Sequence, residues 1–137
     1  MEVEMRGVYL MRVAVMLFGI LAAAGLPAQA FETKPFDATS FKAAQSAGQP
    51  ILVHVFASWC PTCAAQQQVF DSLKSKPEYD KITVFKVDFD GQKDAVKSFG
   101  AQMQSTLIGY KGAAETGRSA GDTNPKSIEA VLQSTLK

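Results

Sequence analysis

The chain has 137 residues, with 14 Lys and Arg against 13 Asp and Glu, one His, two Cys and one Trp. That balance leaves no electrostatic footprint for nucleic acid or an anionic lipid surface. The length suits one domain with one small core once a targeting segment is set aside.

The first thirty residues have the layout of such a segment. Arg6 and Arg12 precede an uncharged apolar run, Val13 to Leu26, and Pro27-Ala28-Gln29-Ala30 follows with small residues at 28 and 30. The run falls short of the roughly 20 residues that a membrane-spanning helix needs. Residues 1–30 therefore read as a secretory signal peptide cut after Ala30, which directs the protein to the periplasm or outside the cell. Left uncleaved, the run would serve as a membrane anchor. Glu2 and Glu4 sit against type in a positive leader, and Met11-Arg12 offers a second start. No cysteine lies near the cut, which excludes a lipoprotein anchor.

Residues 31–137 alternate between two periodicities. Phe31–Phe36, with Pro35 inside it, reads as an edge strand or ordered arm. Asp37-Ala38-Thr39-Ser40 starts a helix carrying Phe41, Ala44 and Gln45, which stops at Gly48. Ile51–Ala57 is apolar on both faces, the pattern of a central parallel strand covered by helices. Past Ser58-Trp59 a helix begins with Pro61 in its first turn, where the missing N–H costs nothing. Val69, Phe70 and Leu73 mark its apolar stripe, and it fades before Pro77. Ile82–Asp88 is a second β-branched and aromatic strand. Lys93–Phe99 is a short helix with Ala95, Val96 and Phe99 inward, closed by Gly100. Ser105–Tyr110 is a third strand, with a turn at Lys111–Ala114 and a hairpin partner at Glu115–Ala120. Asn124-Pro125 caps a last helix whose stripe is Ile128, Val131, Leu132 and Leu136. Parallel βαβ units followed by an antiparallel ββα unit give an α/β fold, a central mixed sheet with helices on both faces.

Both cysteines and the tryptophan lie in one pentapeptide, Trp59-Cys60-Pro61-Thr62-Cys63, where the first long strand runs into a helix. In an exported protein two cysteines ordinarily staple the fold. A loop enclosing two residues removes little chain entropy, so the staple would be a poor one. Side chains three apart on a helix lie about 5–6 Å apart, within reach of a disulfide, so the pair can close and open. The first cysteine sits outside the helix end, where unpaired amides and the positive end of the helix favour thiolate. Cys60 is thus the expected nucleophile. Pro61 has no N–H, so the amides of Thr62 and Cys63, with the Thr62 hydroxyl, are left to stabilise it. Cys63, one turn in, would resolve the mixed disulfide. Trp59 either shields the pair and offers a flat contact surface or packs as a core aromatic.

This order of elements, with Trp-Cys-x-x-Cys after Ile51–Ala57, resembles the thioredoxin family from about Phe36 to Leu136. The resemblance implies a thiol–disulfide oxidoreductase acting on protein thiols and disulfides, with no cofactor. The Pro61-Thr62 pair is similar to that of exported reductases serving cytochrome c maturation. It implies a reductant fed by a membrane electron donor. By the same resemblance His54 stands six before the first cysteine, where thioredoxins place a buried carboxylate that takes the proton of the resolving cysteine. A neutral imidazole can do the same; otherwise His54 is a satisfied core histidine. Lys86 matches the family's lysine near that group, or is a solvated strand-end charge. Ser105, followed by Thr106, replaces the family's cis-proline beside the sulfurs, so the backbone that pairs with a substrate is open to reshaping. Either the bond before Ser105 is cis at a cost of about 2.5–4 kcal/mol or it is trans. Pro61, Thr62, Trp59, Ser105 and Thr106 are the expected substrate contacts.

The missing proline also admits an alternative: a metal- or cluster-binding module using Cys60 and Cys63, shared across a dimer, since His54 would bring the soft ligands to three, short of a closed zinc site. A redox-silent interaction domain is a third reading. A c-type haem site is excluded, because Ala64 follows Cys63 where a histidine is required.

Overall fold

The structure, a computed structural model, describes residues 31–137. The proposed signal peptide and both candidate start residues lie outside the described residues. In chain order the elements are β1 (Glu32–Pro35), α1 (Ala38–Ser46), β2 (Pro50–Phe56), α2 (Pro61–Leu73), a 3-10 turn (Pro77–Tyr79), β3 (Thr83–Asp88), α3 (Lys93–Ser98), β4 (Thr106–Lys111), β5 (Ala114–Ala120) and α4 (Pro125–Ser134). The sheet runs β1-β3-β2-β4-β5. β1 and β2 flank β3 in parallel, and β4 is antiparallel to both β2 and β5. This is the mixed sheet expected from the sequence.

The helix starts are chemically specified. The Asp37 carboxylate accepts the Ser40 N–H at 2.8 Å to begin α1. The Asn124 side chain accepts the Lys126 N–H at 2.9 Å to begin α4. Pro61, Pro77 and Pro125 each stand in a first turn, where an absent N–H leaves no hydrogen bond unmade.

Because β2 is covered on both sides, its alternate residues enter different layers. Ile51, Val53 and Val55 pack with Phe41 and Ala44 of α1, Phe85 and Val87 of β3 and Val96 of α3. Leu52 packs with Val69, Phe70 and Leu73 of α2 and Ile128, Val131 and Leu132 of α4. His54 shares that second face. The first layer is aromatic: the Phe41 ring lies 5.2–5.6 Å from those of Phe36, Phe85, Phe99 and Tyr110, mostly edge to face. α4 approaches the hairpin closely. A Cβ on Gly109 would fall 2.9 Å from Thr116 Oγ1 and 3.0 Å from Thr135 Cγ2, so any side chain there would force those neighbouring side chains to shift.

The sequence carries no expectation for the stretch past α2, and two expectations need correction. The stretch past α2 folds at Pro77 into a 3-10 turn that buries Tyr79, whose hydroxyl donates to Glu129 of α4 at 2.6 Å. Leu136 is 36% exposed and lies beyond the end of α4. Fully buried Thr135 ends the stripe instead, its hydroxyl donated to the Leu132 carbonyl at 2.7 Å. The third strand begins at Thr106, because Ser105 has a left-handed φ of 60° that no strand residue adopts.

Removing a ring that four others contact leaves a cavity the packed layer only partly fills. Phe41→Ala is expected to lower unfolding stability by about 3–5 kcal/mol, read as a lower urea midpoint at unchanged slope.

Candidate active site

β2 ends at Phe56, and Ala57–Trp59 turn the chain into α2. Cys60 is the residue that caps the helix: its backbone is extended, and its Sγ accepts the Cys63 N–H at 3.1 Å. A sulfur therefore occupies the place of the usual Ser, Thr or Asp oxygen. The two Cα atoms are 5.3 Å apart and the sulfurs are bonded as a disulfide. Cys60 and Cys63 are each 4% exposed and pack with Ala57, against Phe56 and Phe89. Of the two amides expected to reach the sulfur, the structure gives the Cys63 N–H this role. Pro61 is exposed and Thr62 half-buried beside the pair.

Trp59 is not a core aromatic. It is 58% exposed, and its indole N–H donates to the Asp90 carboxylate at 2.7 Å. The ring is thereby held on the surface next to Cys60, on the loop that follows β3.

His54 lies beneath α2, 1% exposed, with the Phe70 ring edge-on at 5.2 Å. Its Nε2 meets Gln66 Oε1 at 3.1 Å, and Nδ1 has no hydrogen-bond partner among the described residues. Burial above all, and then the positive charge of Lys86, push its pKa down to about 4, while the Gln66 bond pulls weakly upward. Lys86 pairs in register with His54 across β2 and β3. Its ammonium sits 4.2 Å over the Phe56 ring and lines a groove of about 550 Å³ at the carboxyl ends of β1, β2 and β3. There the charge stays hydrated while its field still reaches the imidazole.

Gln66 is the residue that sequence reasoning missed. It is fully buried. Besides facing His54, its amide nitrogen donates to the Ser105 carbonyl at 3.0 Å and to the Asp122 carbonyl at 2.9 Å. The signal was present: Cys63, Gln66 and Phe70 fall on one stripe of α2, so a polar residue at 66 points into the core.

The peptide bond before Ser105 is trans, as is every bond among the described residues. The positive φ of Ser105 costs about 1–2 kcal/mol for a residue with a Cβ, and its surroundings hold it there. Its N–H donates to the Val55 carbonyl at 2.7 Å, and its carbonyl receives the Gly121 N–H at 3.0 Å as well as Gln66. The Ser105 side chain is buried, and the Thr106 hydroxyl donates to the Met103 carbonyl at 2.7 Å. Both side chains belong to the internal bonding of the loop, and exposed Met103 is its apolar outer face.

Among the described residues no group of three or more His, Cys, Asp and Glu is placed to hold a metal ion. No described helix is long and apolar enough to cross a membrane.

A helix-capping cysteine bonded to the cysteine one turn in, on a mixed sheet of this order, defines a thiol–disulfide oxidoreductase. The chain belongs to the thioredoxin family, whose family model matches residues 32–134. It is 29% identical over 98 residues to the thioredoxin of Alicyclobacillus acidocaldarius, covering 72% of this chain and 92% of that one. It is 30% identical to the thiol:disulfide interchange protein DsbE of Pasteurella multocida, covering 75% of this chain and 66% of that protein. The crystal structure of Trxlp from Edwardsiella tarda superposes with a TM-score of 0.71 at 40% identity, covering 74% of this chain and 98% of that one.

The buried imidazole couples folding to pH. His54 is held near pKa 4 when folded against 6.5 unfolded, so between those values the unfolded chain binds the extra proton and stability rises with pH. The full stability is present above about pH 6.5 and falls as pH drops toward 4, by about 3 kcal/mol for a shift of this size. Urea midpoints measured over that range are expected to show this slope in the wild type and a much shallower one in His54→Leu.

Proposed function

We propose that the protein reduces protein disulfides in an exported compartment, with Cys60 attacking and Cys63 resolving. One observation carries the roles: Cys60 caps α2, so its sulfur receives the Cys63 amide and the positive helix end. The Cys60 thiolate attacks one sulfur of a substrate disulfide and expels the other as a thiolate. Cys63, deprotonated in turn, attacks Cys60 Sγ. The Cys60–substrate bond breaks, the second substrate thiolate leaves, and Cys60 and Cys63 are joined. Two electrons pass to the substrate, whose thiolates take up two protons.

His54 is the proposed acceptor of the Cys63 proton. Its low pKa keeps it a free base across neutral pH. Gln66 ties the ring to the stripe of α2 that carries Cys63. Trp59, Pro61 and Thr62 form the outer contact surface by this reading, with the Ser105–Thr106 loop as a backbone support. A membrane electron donor would return the pair to the dithiol. The reductant direction is supported by the Pro61-Thr62 pair, and the exchange chemistry itself by similarity to a protein named for thiol:disulfide interchange. Export is supported by the apolar run between Arg12 and Pro27.

In the expected outcome, Cys60→Ser abolishes insulin reduction and Cys63→Ser accumulates the mixed disulfide. His54→Ala is expected to slow mixed-disulfide resolution by at least about tenfold near pH 7 and to converge on the wild type at alkaline pH, where Cys63 ionises unaided. An unchanged rate from mildly acidic to alkaline pH removes His54 from the mechanism. The Cys60–Cys63 reduction potential is expected near the thioredoxin value of about −270 mV. A value near about −120 mV, that of the strong periplasmic oxidant, reverses the assigned direction. N-terminal sequencing of protein recovered from the periplasm is expected to begin at Phe31; recovery with the leader attached favours the anchor.

A further inference from the structure

The hydrogen-bond geometry around Gln66 determines more than its own orientation. Its amide nitrogen has two hydrogens, and the Ser105 and Asp122 carbonyls take both, at 3.0 and 2.9 Å. Flipping the amide would aim its oxygen at two carbonyl oxygens, so Oε1 is fixed toward the imidazole. Oε1 only accepts. The His54 nitrogen 3.1 Å away must therefore carry the hydrogen, which makes Nε2 the protonated atom and leaves the lone pair on Nδ1, the buried atom with no partner among the described residues.

We infer that Gln66 is a positioning residue: it fixes His54 as the Nε2–H tautomer, which leaves Nδ1 as the basic nitrogen of the ring. The inference rests on the proton-acceptor role proposed for His54. It adds which nitrogen acts and what holds it. The same side chain joins the base to the Ser105 loop, whose left-handed backbone it helps to restrain. Imidazole, loop and resolving helix are one hydrogen-bonded unit, because Gln66 lies one turn beyond Cys63 on α2.

The groups facing His54 are few. On β3 the Lys86 ammonium is its in-register neighbour, and on β4 Leu107 is apolar. On α2 there are the Gln66 amide and the Phe70 ring. From the segment before α4 the carbonyl of Asp122 reaches the Gln66 amide, while its carboxylate accepts the Asn124 N–H at 2.8 Å. No carboxylate in this set competes with Gln66 for the ring. Loss of its oxygen leaves the tautomer undirected and lowers the basicity of the ring, which the Gln66 bond raises.

His54 is the sole histidine, so the protein labelled with ¹⁵N-histidine gives one imidazole spin system. Two-bond ¹H–¹⁵N correlation at neutral pH is expected to show a protonated-type Nε2 and an unprotonated-type Nδ1. In Gln66→Leu the two nitrogens are expected to average or reverse, with mixed-disulfide resolution about tenfold slower near neutral pH and the gap closing as pH rises, a part of what general-base help supplies. A wild-type spectrum with the proton on Nδ1 overturns the inference, as does a folded Gln66→Leu protein with wild-type imidazole shifts. Should Gln66→Leu fail to fold, the wild-type spectrum together with Gln66→Met decides on the same criteria. Wild-type resolution by His54→Ala would instead refute the proton-acceptor role, and the tautomer result would still judge Gln66 separately.

Discussion

An α-helix opens with amide groups that its own carbonyls cannot reach, and in this protein one of them is satisfied by a sulfur. That single bond, from the Cys63 N–H to Cys60 Sγ, sets both the start of α2 and the electrostatic surroundings of the Cys60 sulfur. The cap works only if the strand before it is immobile. β2 meets that demand by being covered on both faces, with Ile51 to Val55 all buried, and by pairing with both β3 and β4. The packing of the sheet and the surroundings of that sulfur are thus parts of one arrangement.

Its centre departs from the expected family pattern in a correlated way. An imidazole in place of a carboxylate brings no negative charge under the helix, so the core there need not accommodate an anion beside Lys86. Serine in place of proline restores an N–H, and that N–H is used at once, bonded to the carbonyl of Val55, the residue next to His54. Gln66 then spans the two changes, bonding the ring at one end and the Ser105 carbonyl at the other. A buried polar network of this kind is stable only when its members are satisfied together. Nδ1 of His54 is the one member of this network left without a partner among the described residues.

The elements were legible because their cues are local. Alternation, helical spacing, capping side chains and first-turn prolines each act over a few residues, and the fold follows them closely at Asp37, Pro61, Gly100 and Asn124. What was not legible depends on approach in space. Tyr79 is buried because Glu129, fifty residues on, receives its hydroxyl. Leu136 carries the right spacing but falls past the point where α4 stops. The cysteine pair and His54 stood out in the sequence as rare residues in conspicuous contexts. Gln66 did not, since one glutamine among Gln66, Gln67 and Gln68 looks like a solvated helix face until the stripe it shares with Cys63 and Phe70 is followed inward. The conformation of Ser105 was beyond reach, because a left-handed serine is imposed by three partners from β2, α2 and the end of β5.

The tethered indole of Trp59 gives the molecule an internal gauge. It is the one tryptophan in the chain, adjacent to Cys60, solvent-facing, and fixed through Asp90 to the loop beyond β3. A change in the bonding of the adjacent Cys60 alters the surroundings of that indole, so its intrinsic fluorescence is expected to follow the Cys60–Cys63 pair. The oxidation state can then be followed in real time without a dye, a coupled enzyme or any change to the sequence.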